Sequence, residues 1–374
     1  MTDIIARGLA AQATKNLQRL RQPRAVSTRN GRLGGGSSTP VFTTSGSVGT
    51  TYRNRHTIAG SAIVFGLRVG FANWGLQSSG EVDNGNAISV KAAIEYNGVS
   101  YPLFFNGANT VTIQPGAEVV ADEFGLELPG GASFFTRIYV SVASIGQTWP
   151  LGRIQSGGLS EGRTDGSDLT ASTGGLATGG GNAYGPSMIF GQTRSPLAST
   201  LIIGDSIAAG VGERSADCDG SGFAGYVERA LASNAPWISA TRSSIKLSDF
   251  NTAHWRRMRD VRSLVSNVIC ELGINDIKSA SSLATLQAAA ISVWTASGAG
   301  GASVWQTTIT PETTSTNGWV TTAAQTITNA GQNSVRTSYN DWLRGGAPMS
   351  AGAAVAVGTP GGLLAGQVGH PLAG

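Results

Sequence analysis

The sequence predicts an open parallel α/β sheet in its second half and an antiparallel, all-β region ahead of it. Three observations carry this. From about residue 197, short apolar runs alternate with segments of helical period. Between about 41 and 145 the period is two, and Gly/Pro turns separate short runs. Glycine supplies 53 of the 374 residues and charged side chains only 13%, whereas the 40% hydrophobic content supplies enough side chains for a core. The chain is long for one domain, so two or three units are expected.

The elements follow in order. Residues 4–20 place Ile5, Leu9, Ala13, Leu17 and Leu20 on one helical stripe, and Pro23 closes it. Residues 1–35 hold seven Arg or Lys against a lone Asp3, so the net charge of +4 is local to this segment. Such a basic amphipathic arm suits a transit peptide, a membrane-surface anchor or a helix docking to a larger assembly, and a frayed arm is equally consistent with it. With it set aside the remainder is near neutral, which argues against a nucleic-acid surface. Residues 34–38, Gly-Gly-Gly-Ser-Ser, read as a hinge.

Residues 41–150 form the predicted β domain, a sandwich or jelly roll. Ile88, Val90, Ala92, Ile94 and Tyr96 alternate with polar or small residues, and Asn97-Gly98 then signals a type I′ hairpin into residues 99–101. Residues 61–71, 110–114 and 134–142 read as further strands. Trp74 and Tyr101 are candidates for stacking on carbohydrate, against the alternative of core positions. Residues 151–196 are Gly/Ser/Thr-rich and without period, and read as a linker.

Residues 197–374 then give four βα units. Strands are expected at 200–204, 237–243, 268–272 and 303–309. Their helices carry Phe223 to Leu231, Trp255 to Leu264, Leu283 to Trp294 and, in one long helix, Val320 to Trp342. Cys270 falls in a strand and reads as a small core residue, while a disulfide to Cys218 stays open. No apolar run is long enough to span a membrane, and Arg7 and Gly8 interrupt any secretory h-region.

Two loops carry the chemistry. Gly204-Asp205-Ser206 follows Leu201-Ile202-Ile203, and Gly273-Ile274-Asn275-Asp276 follows Val268-Ile269-Cys270-Glu271-Leu272. Ligands of open α/β sheets sit beyond the carboxyl ends of the strands, so a hydroxyl and a carboxamide delivered there suit a nucleophile and an oxyanion donor. In this order the motifs resemble blocks I and III of the SGNH/GDSL hydrolases. The resemblance covers roughly residues 197–374 and implies a flavodoxin-like parallel sheet, Ser206 as nucleophile and Asn275 as oxyanion donor. It gives supporting roles to Gly204, Asp205, Gly273 and Asp276, and implies no metal or cofactor.

The family's second block ends in a glycine that donates its backbone N–H. Residues 240–246, Ala-Thr-Arg-Ser-Ser-Ile-Lys, contain none, which leaves Ser243 or Ser244 to take the place. Of three histidines, His56 lies at the front of the β region, and His254 stands among Arg256, Arg257 and Arg259, where an imidazolium is disfavoured. His370 falls where the family's Asp-x-x-His begins, with Gln367 in place of the aspartate. Two readings stay open: His370 is the base of a Ser–His dyad, or the chain is C-terminally truncated and the base lies beyond it. The resemblance implies a serine esterase acting on acyl, above all acetyl, esters of carbohydrates or on small esters, in an extracellular or virion-associated setting. The rival readings are a virion tail or adhesion protein, and a degenerate SGNH domain that binds glycans without turnover.

Overall fold

In a computed structural model the described residues are 22–28, 42–44, 46–78, 80–155, 159–177, 181–211, 225–232, 234–250, 261–299, 301–345, 347 and 366–368. The predicted N-terminal helix, the 34–38 hinge, Cys218, His254 and His370 lie outside them.

The first half carries two main antiparallel sheets. One runs Gly162–Asp165, Gly49–Thr57, Ser133–Ser141, Ile88–Tyr96 and Val99–Pro102 across its width, with Val111–Ile113 also on Ile88–Tyr96. The other runs Arg24–Ala25, Met188–Thr193, Val64–Ala72 and Glu118–Val120. Period-two side chains from both meet in one apolar cluster that includes Tyr52, Leu67, Phe71, Val90, Ile94, Phe134, Ile138 and Ile189. The Ile88–Tyr96 strand has its predicted bounds. Its hairpin turns on Asn97 (φ 50°) and Gly98 (φ 75°), the left-handed pair that a type I′ turn needs.

Three expectations are corrected here. Trp74 is buried and offers no ring to a sugar, while Tyr101 is half-buried and packs edge-on to Phe124 at 5.8 Å. Arg24–Ala25, placed in the basic arm, is a strand paired to Met188–Thr193. Residues 151–196 are not a simple linker: Gly162–Asp165 pairs with Gly49–Thr57, and Met188–Thr193 pairs with Val64–Ala72.

The physical reason is a buried charge cluster on the outer face of the first sheet. Arg53 and Arg137 are direct cross-strand neighbours, and Glu95 accepts from both. Arg53 binds it through two nitrogens, Nη2 to Oε1 at 2.7 Å and Nε to Oε2 at 2.8 Å, and Arg137 Nη1 reaches Oε2 at 2.8 Å. The Gly/Ser-rich segment closes over them with backbone groups: the Ser160, Leu169 and Gly174 carbonyls accept from the guanidiniums, and Gly174 N–H donates to Glu95 at 2.9 Å. A segment held by its backbone needs no apolar period, so nothing in its side-chain pattern announced it.

Burial raises the Glu95 pKa, but the Arg53, Gly174 and Arg137 hydrogen bonds outweigh it and hold the group at about 2, against an ordinary 4.5. A depressed carboxylate pKa contributes stability above its unfolded value and loses it as pH falls through the folded value. The native chain is therefore expected to lose stability between pH 4.5 and about 2. Glu95→Ala strands two buried cations and should cost about 3–5 kcal/mol at neutral pH, with a flatter acid limb. Urea unfolding followed against pH checks both.

The second half builds one five-stranded, all-parallel sheet: β1 (Thr200–Gly204), β2 (Trp237–Thr241), β3 (Asn267–Glu271), β4 (Ser303–Thr307) and β5 (Gly366–Val368). The spatial order is β2-β1-β3-β4-β5, that of flavodoxin-like doubly wound sheets. All five residues of β1 are buried because helices cover both its faces. Ile202 packs with Val227 of α1 (Tyr226–Leu231). Leu201 and Ile203 point the other way, into the cluster of α4 (Leu283–Gly298) and α5 (Ala330–Arg344). Trp294 of α4 stacks on Trp342 of α5 at 5.5 Å. Cys270 is a free, buried thiol in this core. Among the described residues no helix is long and apolar enough to cross a membrane.

The predicted helix from Val320 to Trp342 is shorter than expected. Thr313–Ser315 and Gln325–Ile327 form a hairpin, and α5 begins only after Asn329, whose side chain accepts from Gln332 N–H at 3.0 Å. Thr and Ser dominate residues 313–326 and compete with helical hydrogen bonding, so the apolar spacing there was accidental.

Candidate active site

β1 ends at Gly204, and the chain then turns through one helical loop, with Ala209 N–H donating to the Asp205 carbonyl and Val211 N–H to that of Ser206. Asp205 is buried and its carboxylate fixes the turn: Oδ1 accepts from Ile207 N–H at 2.9 Å. Ser206, next in sequence, is half-buried at the mouth of a cleft of about 350 Å³.

β3 lies beside β1 in register, Gly204 opposite Glu271. After it, Gly273 holds φ 137°, and an added Cβ would stand 2.6 Å from Ile309 Cδ1, so only glycine fits. That bend starts α3 (Ile274–Lys278) and puts Asn275 in the cleft with Ser206. Asn275 Nδ2 donates to Asp205 Oδ2 at 3.3 Å and to the Ile245 carbonyl at 3.1 Å. Asp276 turns inward instead: its two oxygens accept from Leu247 N–H (2.8 Å) and Ser248 N–H (3.1 Å), at the start of α2 (Leu247–Phe250).

The loop between β2 and α2 passes Ser243 and Ser244. Ser244 is exposed with φ 68°, the left-handed conformation that favours glycine. Since Asn275 binds the Ile245 carbonyl, the loops after β1, β2 and β3 are tied together through one carboxamide.

Glu271, the last residue of β3, is a member of this site that no motif announced. It is buried, and its Oε2 accepts from Asp205 N–H at 3.2 Å. Burial and the neighbouring Asp205 charge push Glu271 well above the ordinary carboxylate range. Burial likewise lifts Asp205, to about 6, against the hydrogen bonds from Ile207 N–H and Glu271 that lower it. Asp205 and Glu271 thus form a buried carboxyl pair next to Ser206, with Glu271 accepting from Asp205 N–H and the Asp205 oxygens accepting from Ile207 N–H and Asn275 Nδ2.

His56, by contrast, is a buried residue of the antiparallel sheet, stacked on Phe134 at 5.3 Å, with Nε2 at 3.0 Å from Thr136 Oγ1. The cleft is also lined by Thr310, Glu312, Thr313 and Trp319, from the segment between β4 and α5. Lys278 Nζ bridges to Glu312 Oε1 at 2.9 Å on its rim.

No protein-family model matches the sequence, and no curated protein matches it. Solved structures resemble it weakly. The psychrotrophic esterase EstA from Pseudoalteromonas shares 18% identity over 39% of this chain and 71% of its own, with a TM-score of 0.28. A family two carbohydrate esterase from Cellvibrio japonicus shares 12% over 86% of this chain and 84% of its own, with a TM-score of 0.26. The Bacillus subtilis protein YXIM shares 11% over the same fractions, with a TM-score of 0.32.

Proposed function

We propose that the chain is a serine ester hydrolase of SGNH type that removes acyl groups, above all acetyl, from carbohydrates. The supporting observation is the meeting of Ser206 and Asn275 in one cleft at the carboxyl ends of adjacent parallel strands, with the Asp205 carboxylate accepting from Ile207 N–H in the Ser206 turn and from Asn275 Nδ2.

In this reading Ser206 Oγ attacks the ester carbonyl, and its proton passes to the base. The oxyanion takes hydrogen bonds from Asn275 Nδ2 and from the backbone N–H groups of Ser206 and Ser244. The Asn275–Asp205 bond is long at 3.3 Å, so that N–H is the one free to turn to a developing charge. The tetrahedral adduct expels the sugar alkoxide, which takes the proton from the base, and water then releases the acyl group from Ser206. Ser244 fills the family's glycine position, as its left-handed φ suggests.

The base assigned is His370, two residues past the end of β5, and parallel strands all end on the Ser206 side of the sheet. Three strand spacings, about 14 Å, separate β5 from β1. That is close to the reach of two extended residues, at about 3.5 Å each, plus an imidazole side chain.

An alkyl fluorophosphonate tests the reading. Ser206 Oγ should displace fluoride, and the adduct should map by mass spectrometry to the peptide bearing Ser206. Labelling elsewhere, or none during prolonged incubation, would put the chain among non-hydrolytic binding proteins instead.

A further inference from the structure

We propose that Trp319 is a platform on which a pyranose ring of the substrate rests while its ester reaches Ser206; this builds on the ester-hydrolase reading. Trp319 sits between the paired strands Thr313–Ser315 and Gln325–Ile327 and lines the same cleft as Ser206 and Asn275. Its side chain is 59% exposed, whereas Trp74, Trp149, Trp237 and Trp294 are all fully buried. Trp319 is thus an exposed indole that lines the cleft of Ser206, next to the more exposed Val320 (80%).

The ring is fixed rather than loose. Its Nε1 donates to Thr313 Oγ1 at 3.1 Å, and its backbone N–H to Ser315 Oγ at 2.8 Å. Asn317 Oδ1 accepts from Val320 N–H at 3.2 Å and closes the tip. The backbone of Trp319 lies at φ 62°, a conformation that costs a bulky residue free energy and persists only where surroundings impose it. A ring held this way loses little further freedom on binding, which favours affinity.

The surroundings select the occupant. With its N–H already satisfied, the indole offers only an apolar face, and Thr310, Glu312, Thr313 and Lys278 around it offer hydroxyl, carboxylate and ammonium groups. A pyranose has the matching form: an apolar C–H face for the indole and a rim of hydroxyls for the polar groups. A long acyl chain would instead cover the exposed Lys278–Glu312 pair and the cleft hydroxyls with apolar surface, at a desolvation cost that a hydroxylated ring avoids.

The test uses the full chain carrying Ser206→Ala, titrated calorimetrically with unacylated cellohexaose and, in a second arm, xylohexaose. Adding Trp319→Ala should weaken binding of at least one sugar by about tenfold. Trp319→Phe should keep most of the affinity, which separates lost stacking from a collapsed hairpin. Ile145→Ala, an exposed apolar residue away from the cleft, serves as the control. Equal affinities with and without Trp319, or no binding of either sugar, overturn the proposal.

Turnover then separates this inference from the function it rests on. In the active chain, Trp319→Ala should lower the ratio of kcat/KM on acetylated xylohexaose to that on ethyl acetate by about tenfold. Ethyl acetate hydrolysis with an unchanged ratio sinks the platform and leaves the hydrolase standing. Trp319-dependent sugar binding without turnover of either ester sinks the hydrolase and keeps the platform.

Discussion

Ser206→Ala is expected to lower kcat for an acetyl ester on the order of 10⁵–10⁶-fold, because removing a nucleophile abolishes the covalent route and leaves only binding and oxyanion stabilisation. Stability should hardly move. The side chain is small and half-buried, and the turn is held by Asp205, so the unfolding free energy should stay within about 0.5 kcal/mol. Acetate release measured by pH-stat, alongside a urea melt, tests both halves. Turnover retained above a few per cent would remove Ser206 from the chemistry.

Asn275→Ala should reduce kcat on the order of 10²–10³-fold with a smaller change in KM, the pattern of a donor whose bond strengthens only in the transition state. It also breaks hydrogen bonds to Asp205 and the Ile245 carbonyl, so a loss of about 1 kcal/mol in stability accompanies it. Asn275→Asp separates the contributions. It keeps the shape but brings an acceptor against the Asp205 carboxylate and the Ile245 carbonyl, so it should fall at least as far in kcat. A loss carried by KM alone would make Asn275 a ground-state binding residue.

Much of this was legible in the chain. β1 and the Ile88–Tyr96 strand have their predicted bounds, since a continuous apolar run and a strict alternation of apolar with polar or small residues each mark a strand. Ser206 and Asn275 stood out because each follows such a run within a few residues. Glu271 did not, because a single acid closing an apolar strand leaves no pattern; only its contact with Asp205 gives it meaning. Trp319 was hidden by the false helical spacing of Val320, Ala324 and Ile327. Residues 151–196 carry no apolar period because periodicity reports apolar burial, while this segment is fastened through backbone groups to Arg53, Arg137 and Glu95.

That fastening sets an order on assembly. Val64–Ala72 has Met188–Thr193 along one edge, and among the described residues Arg24–Ala25 has Met188–Thr193 as its strand partner. A nascent chain must therefore wait until residue 193 has left the ribosome before its second antiparallel sheet can close. Until then the long strand emerges with one edge unsatisfied, ready to pair with a neighbouring chain. A clone ending near residue 150 would make that interval permanent, so aggregation rather than a free-standing module is its expected fate.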